Sequence, residues 1–427
     1  MPDGTATAQR YLPKLVTTFR EGYSWLSLRA DAAAGLTVAV VALPLSMAIA
    51  VASGVTPERG LYAAIAGGAV VSLLGGSRFQ IGGPAGAFIV LVAGTVQQLG
   101  LEVLLLAVLL SGAMLCIIGW LRIGTLIRYV PHAVTVGFTS GIALTIFASQ
   151  LKDLGGFTLT AEPAHMVPKL QSLWIARESF APAALVIGIC TAAIILVMRR
   201  LRPNWPGMLL AIAAASLAAW AFGLPAELIG ERFGDLPNAL PRPRLPELSW
   251  ANTRAALEPA LAFTVLGGIE SLLSAKVADS MSGRKHRSNM ELVAQGAANI
   301  ASALFGGICV TGTIARTATN IRAGARSPVS GLLHALYLLV FLLIAAPLAA
   351  FVPLSALAGV LIVVCLNMAD SHEFIALLRN WRTGFVLLAT FIPTILVDLM
   401  AGIAAGCGTA IVLALFGRGV KTEDSSA

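Results

Sequence analysis

Gly82-Gly83-Pro84-Ala85-Gly86 and Val310-Thr311-Gly312-Thr313-Ile314-Ala315-Arg316 each interrupt an apolar run where it would enter a membrane, at matching places in the two halves of the chain. A span broken by Gly or Pro leaves a half-helix whose first amides lack partners. Two such half-helices from inverted repeats aim their positive ends at one anion in mid-membrane. The pair therefore predicts a secondary transporter whose binding site lies between them. The expected contacts are Gly83, Pro84, Ala85, Gly86 and Ala87 from the first break, where small side chains leave the backbone amides accessible. Thr313, Ile314, Ala315 and Arg316 are expected from the second. Packing of small residues explains scattered Gly and Ala elsewhere in the chain, but not a Pro at a span's mouth facing a second interruption.

Composition agrees with a membrane setting. Hydrophobic residues make up 57% and charged residues 12%, with a mean hydropathy of +0.84, whereas soluble domains carry about 25% charge. The chain reads as an all-α polytopic membrane protein. Its net charge of +8 lies in short loops, where topology signals and anionic lipid account for it, so no nucleic-acid partner is expected. Cys116, Cys190, Cys309, Cys365 and Cys407 fall in or beside apolar runs, without metal-ligand spacing, and read as small buried thiols. His132, His165, His286, His334 and His372 are scattered. With no metal cluster, activated nucleophile or polar active-site loop, an enzyme is not expected, nor any cofactor.

Runs of the length a bilayer requires place spans near 31–54, 61–76, 83–99, 102–121, 130–151, 183–199, 205–223, 255–277, 290–307, 310–324, 328–352, 354–370, 383–397 and 399–416. An even count puts both termini on one side. Arg78, Arg122, Arg128, Arg199, Arg200, Arg202, Arg284, Lys285, Arg287, Arg322, Arg326, Arg379, Arg382, Arg418 and Lys421 mark that side as cytoplasmic. Seven being odd, the second seven spans run opposite to the first. The expected organisation is a cytoplasmic segment 1–30, a first repeat 31–223, an external loop 224–254, a second repeat 255–416 and a short tail 417–427. Short surface helices are expected in the external connections 152–182 and 224–254.

Glu270 lies deep in an apolar span, where a carboxylate costs a few kcal/mol and is by default functional. A carboxyl beside an anion site couples protonation to anion binding, the basis of proton/anion symport. Arg316 reads as an anion contact, as a charge that snorkels to the interface, or as a neutraliser of Glu270. Pro44, Ser46 and Met47 are expected to bend the first span around the same cavity. Thr311, Thr313 and Thr317 offer hydroxyls. Gln295 and Asn299 read as interhelical glue, Lys276 and Asp279 as a surface ion pair, and His334 as a hydrogen-bonded packing residue.

The first span, Val40-Val41-Ala42-Leu43-Pro44-Leu45-Ser46-Met47-Ala48-Ile49-Ala50, resembles the proline-centred signature of the sulfate permease (SulP) family. Gly82 to Gly86 is similar to that family's opening of span three, and Gly267-Gly268-Ile269-Glu270-Ser271-Leu272-Leu273-Ser274 through Ala278-Asp279 to its eighth-span motif. The resemblance covers nearly the whole chain. It implies a fold of about fourteen spans in two inverted seven-span repeats, with spans 1–4 and 8–11 forming a core, the remainder a gate, and spans 3 and 10 broken. It also implies transport of sulfate, chloride, bicarbonate, oxalate or dicarboxylates, a homodimer, and an acidic eighth-span residue that in some similar bicarbonate transporters binds sodium, with Ser274 at the position of a hydroxyl ligand. A basic residue at the place of Arg316 lies close to the anion path in the family. Leu45 and Ile49 depart from the polar and aromatic residues common there. Family members usually end in a cytoplasmic STAS domain, which is expected to be missing here, in a short natural form or a truncated chain.

These readings converge on an integral protein of the bacterial cytoplasmic (inner) membrane. It is expected to carry a small anion of the dicarboxylate, sulfate or bicarbonate class by alternating access, coupled to protons through Glu270. A sodium-coupled bicarbonate symporter, a passive anion channel and a nucleobase/ascorbate-type transporter are the alternatives.

Overall fold

The computed structural model describes residues 11–122, 131–159, 163, 166–202, 205–397 and 399–416. Arg128, His165 and the tail 417–427, with Arg418 and Lys421, lie outside them. A short amphipathic helix, α1 (Lys14–Arg20), precedes the first span, α2 (Trp25–Ala52), which starts where the Ser24 hydroxyl accepts from Ser27 N at 3.2 Å. Helix α2 continues unbroken through Pro44. The second span comprises α3 (Pro57–Tyr62), a π-helical turn at Ala63–Gly67 and α4 (Gly68–Leu74).

The chain then extends into β1 (Gly82–Gly83), tightens through a 3₁₀ turn at Gly86–Phe88 and enters α5 (Ile89–Trp120). Gly100, at φ 81° and ψ 173°, breaks that helix into the expected third and fourth spans. The fifth, sixth and seventh spans are α6 (His132–Gly155), α8 (Pro182–Leu201) and α9 (Gly207–Phe222), with the short α7 (Met166–Ile175) between the first two.

After the short α10 (Ile229–Phe233), the second set repeats this order. It contains the long α11 (Trp250–Ser282) and α12 (Ser288–Leu304), then the strand β2 (Thr311–Gly312) and the nine-residue half-helix α13 (Ile314–Arg322). Helix α14 (Val329–Ala349), α15 (Leu354–Met368), the surface helix α16 (Ser371–Leu378), α17 (Trp381–Leu396) and α18 (Leu399–Phe416) complete it. The result is a fourteen-span, inverted-repeat membrane fold with spans 3 and 10 broken.

Small residues let the spans close on one another. A Cβ at Gly112 of α5 would lie 2.6 Å from Gly296 O of α12, and one at Gly296 would lie 2.5 Å from Gly112 O. Only glycine permits that backbone approach. In the gate, Gly402 and Gly406 of α18 leave room for the side chains of Thr394 and Thr390 of α17, whose Oγ1 atoms would each lie 1.9 Å from an added Cβ.

The loops ahead of the two breaks dock reciprocally. Gly76 O accepts from Arg287 N, at the start of span nine, at 3.0 Å, while Gly306 O accepts from Arg59 Nη1, at the start of span two, at 2.8 Å. On the side carrying the N-terminus, α1 lies across the core. Lys14 N donates to Gly75 O at 2.9 Å, Arg287 Nη1 donates to Thr17 Oγ1 at 3.1 Å, and Arg78 pairs with Glu21. Burial, with Arg287 and Arg78 close by, holds the Lys14 amine below its ordinary range. At the opposite face, Arg232 of α10 clasps Asp153 at 2.9 Å and Glu227. Burial opposes the Arg232 charge, but these two carboxylates outweigh it and raise the guanidinium pKa.

Candidate functional site

The two broken spans meet. Strands β1 and β2 pair antiparallel, Gly82 opposite Gly312 and Gly83 opposite Thr311. Several elements hold this crossing from below. Gly67 and Gly68, in and just after the π-turn, are small enough for β2 and β1 to lie on them: a Cβ at Gly67 would lie 2.4 Å from Val310 Cγ2, and one at Gly68 would lie 2.9 Å from Gly82 O.

Asn299 of α12 acts as a surrogate strand. Its amide donates to Val310 O, and its carbonyl accepts from Val310 N, both at 2.8 Å. That is a different role from the interhelical contact its position suggested. Ser302 Oγ fixes the preceding turn by donating to Ile308 O at 2.5 Å. Thr313 N continues the ladder to Ile81 O at 3.1 Å, and Ile81 N donates to Thr317 Oγ1 at 3.1 Å. Most polar side chains here thus replace backbone partners that a continuous helix would have supplied.

Arg316 emerges one turn inside α13 and is 2% exposed. Its Nη2 donates to Ser46 Oγ at 3.1 Å and to Pro84 O at 3.3 Å, tying the first, third and tenth spans together. Its Nε and Nη1 have no protein partner. A Cβ at Gly83 would lie 2.1 Å from Nη1, so the guanidinium lies directly on the β1 backbone. Beside it the tip of α13 is open, with Ile314 and Ala315 exposed. Gly86 faces Met368 and Val364 of α15 and Ile146 of α6, so the crossing borders the gate spans. Ala85 and Ala87 are buried at the start of span three, and Met47 is buried beside Ser46.

Glu270 and Ser274 approach from α11. Ser274 Oγ donates to Thr317 Oγ1 at 3.3 Å. Ser271 Oγ lies 2.8 Å from Thr311 Oγ1 and accepts from Gly312 N at 3.3 Å, and Gln80 Nε2 donates to Ser271 O at 3.1 Å. Glu270 Oε2 is enclosed without a hydrogen-bond partner. Among the described residues neither Glu270 nor Arg316 forms an ion pair, so the two charges do not neutralise each other by contact.

Asp279 also meets His286, whose Nδ1 lies 2.6 Å from Asp279 Oδ2. Other expectations shift. His334 is fully buried, but both ring nitrogens lack hydrogen-bond partners, contrary to the bonded role expected of it. Cys309 and Cys365 are buried, whereas Cys190 is exposed rather than a buried thiol. Two buried carboxylates went unread in the sequence. Asp31 accepts from Ser327 N at 3.1 Å and from Tyr23 Oη at 2.8 Å, and Glu291 accepts from Ser77 N at 2.9 Å. Both staple span ends to loops more than 200 residues away or across a turn, which no local pattern reports.

Paired broken spans in an inverted repeat, with polar groups gathered at their crossing, define a membrane transporter rather than an enzyme. The Sulfate permease family model matches residues 28–391, and the chain belongs to that family. It is 43% identical over 395 residues to the putative sulfate transporter YvdB of Bacillus subtilis, covering 92% of this chain and 74% of that one. It is 31% identical over 407 residues to the bicarbonate transporter BicA of Picosynechococcus, covering 91% and 70%. The solved transmembrane domain of a cyanobacterial BicA superposes with a TM-score of 0.78 at 30% identity, covering 89% of this chain and 98% of that one. SLC26A9, at 18% identity and a TM-score of 0.87 over 96% of this chain and 69% of its own, shares the fold.

Proposed function

We propose that this chain is a secondary active transporter that symports a small anion with a proton, the anion seated where the two half-helices meet. The observation that carries this reading is the buried Arg316, with two guanidinium nitrogens lacking protein partners beside the amide ends of α13. A buried cation in that setting is favourable when an anion completes its hydrogen bonding. Gly83, Pro84, Ala85, Gly86 and Ala87 contribute backbone and space, Ser46 and Met47 the wall of the first span, and Thr313, Ile314 and Ala315 the opposing tip. The core carries the seat past the gate in alternating access. The anion belongs to the sulfate, bicarbonate or dicarboxylate class. The protein works as a homodimer in the bacterial inner membrane, with both termini cytoplasmic.

Glu270 is the coupling group in this reading. One of its carboxylate oxygens, Oε2, is buried without a hydrogen-bond partner, and it shares α11 with the hydroxyls of Ser271 and Ser274. A second reading, sodium coupling, draws on the hydroxyls of Ser271 and Ser274 on the same helix as Glu270, and the related BicA proteins are named bicarbonate transporters. Uptake of labelled sulfate, bicarbonate and succinate into proteoliposomes, under separately imposed pH and sodium gradients, tests both. Accumulation that follows the pH gradient, and is lost in Glu270→Gln, is expected. Flux that only dissipates the anion's own gradient sinks coupling, and accumulation that follows sodium alone transfers the role to the second reading.

A further inference from the structure

A second set of buried polar atoms without hydrogen-bond partners is carried by α13, α14 and α4. They are Nδ1 and Nε2 of His334, Oγ of Ser72 and Oδ1 of Asn320, with Nε and Nη1 of Arg316 itself. The fold draws these side chains together. Asn320 stands one turn after Arg316 on α13, and its Nδ2 donates to Ser330 Oγ at 2.9 Å. Ser330 stands one turn before His334 on α14. Ser72 of α4 packs on Gly331 of the same helix, where a Cβ would lie 2.1 Å from its Oγ. Gly35 lets α2 close over this face, since a Cβ there would lie 2.5 Å from Ser330 O and 3.1 Å from His334 N.

An imidazole enclosed in this way has no structural need of its polarity, because a leucine would pack as well. Its charged surroundings are sparse. Helix α4 and the π-turn bring no ionisable side chain to α14, and α2 brings Arg29, which is exposed, and Asp31, whose oxygens are taken by Arg326 N, Ser327 and Tyr23. From α13 come Arg322, which is exposed, and Arg316, one turn before the Asn320 that bonds to Ser330, itself one turn before His334.

We propose that His334 is a positioning residue of the anion seat, taking up a proton as the anion binds and so tying anion affinity to pH through Arg316, separately from the transported proton on Glu270. The inference rests on the reading of Arg316 as an anion contact. With the seat empty, a second positive charge beside the guanidinium is repelled. With an anion in place, that repulsion is offset, and a protonated imidazole adds attraction. Binding and protonation therefore reinforce each other, and affinity rises as pH falls.

The experiment measures sulfate binding to the purified chain in detergent between about pH 5.5 and 8, the range in which imidazoles titrate. Sulfate keeps its double charge throughout, so the ligand does not titrate. The wild-type chain is expected to bind roughly tenfold more tightly at the acid end, and His334→Gln to change by less than about twofold, one tenfold step being the linkage of a single pKa unit. Should the variant not fold, a chain whose other four histidines are glutamine reports on His334 by ¹⁵N imidazole NMR. Saturating sulfate at fixed pH is expected to move that signal towards the doubly protonated form. An unmoved signal, or a pH response that survives His334→Gln, overturns this inference while leaving the seat intact. Failure of sulfate, chloride and nitrate all to bind the wild-type chain removes the seat itself, and the inference with it.

Discussion

The two broken spans meet as equals in topology and differ in what they bring. The first supplies almost no side-chain chemistry: Gly82, Gly83 and Pro84 pass through the crossing as bare backbone, and a 3₁₀ turn delays the helix until Ile89. The second enters its helix at once and buries Arg316, Thr317 and Asn320 within nine residues. One half yields space and the other fills it with charge and hydrogen-bonding groups. An inverted repeat need not be chemically symmetric, because a single anion requires one cation and one clear approach. Removing contacts from the second half should therefore damage binding or stability directly, whereas the first half should be sensitive to added atoms.

The largest effect is expected at the support of the second half. Asn299→Ala leaves Val310 N and O buried without partners, at a cost of about 2–4 kcal/mol for the pair. Thermal unfolding in detergent should show a clear fall in Tm, together with loss of sulfate binding as β2 loosens. An unchanged Tm would mean that the strand holds its place without the Asn299 bridge. The first half has no counterpart, its ladder being closed by backbone and by Thr317.

Charge removal comes next. Arg316→Gln should fold, since no carboxylate is left unpaired by the change, and should weaken anion binding by about 1–3 kcal/mol, the scale of a charged hydrogen bond. Affinity measured by calorimetry decides it. Unaltered binding would assign Arg316 to holding Ser46 and Pro84 together, and the asymmetry between the halves would then be structural only.

The broad fold was legible because bilayer thickness and backbone satisfaction leave few choices for apolar runs of this length. Glycine and proline placement located both breaks, and span boundaries fall close to those expected, even at Gly100. The details of the site were less legible. The sequence marks Arg316 and Glu270 as intramembrane charges, but whether they pair depends on the rotation of α13 against α11, which no periodicity encodes. Gln80 and Asp31 bond to backbone far away in sequence, Asn299 bonds to backbone beyond the turn that follows its helix, and the polarity of His334 gave no hint that it would be left without a partner. Side chains that substitute for missing backbone bonds are read only once the backbone path is known.

The smallest expected effect is the most discriminating test of the comparison. Gly83 and Gly86 lie three residues apart in the same break, and both would become alanine with one added methyl. At Gly83 that methyl would meet Arg316 Nη1 at 2.1 Å, well inside contact distance, but the obstacle is the end of a flexible side chain that can swing aside. At Gly86 it would meet Met368 Sδ at 3.4 Å and Ile146 Cδ1 at 3.6 Å, which is ordinary contact. Gly83→Ala should therefore keep its Tm within about a degree or two while losing roughly tenfold in anion affinity, about 1.4 kcal/mol, because the guanidinium is pushed off the β1 backbone. Gly86→Ala should bind within about twofold of wild type, less than about 0.5 kcal/mol. Equal losses at the two positions would mean that the first half contributes a general shape rather than a platform for Arg316, and a fall in Tm at Gly83 would place its role in the strand pairing instead.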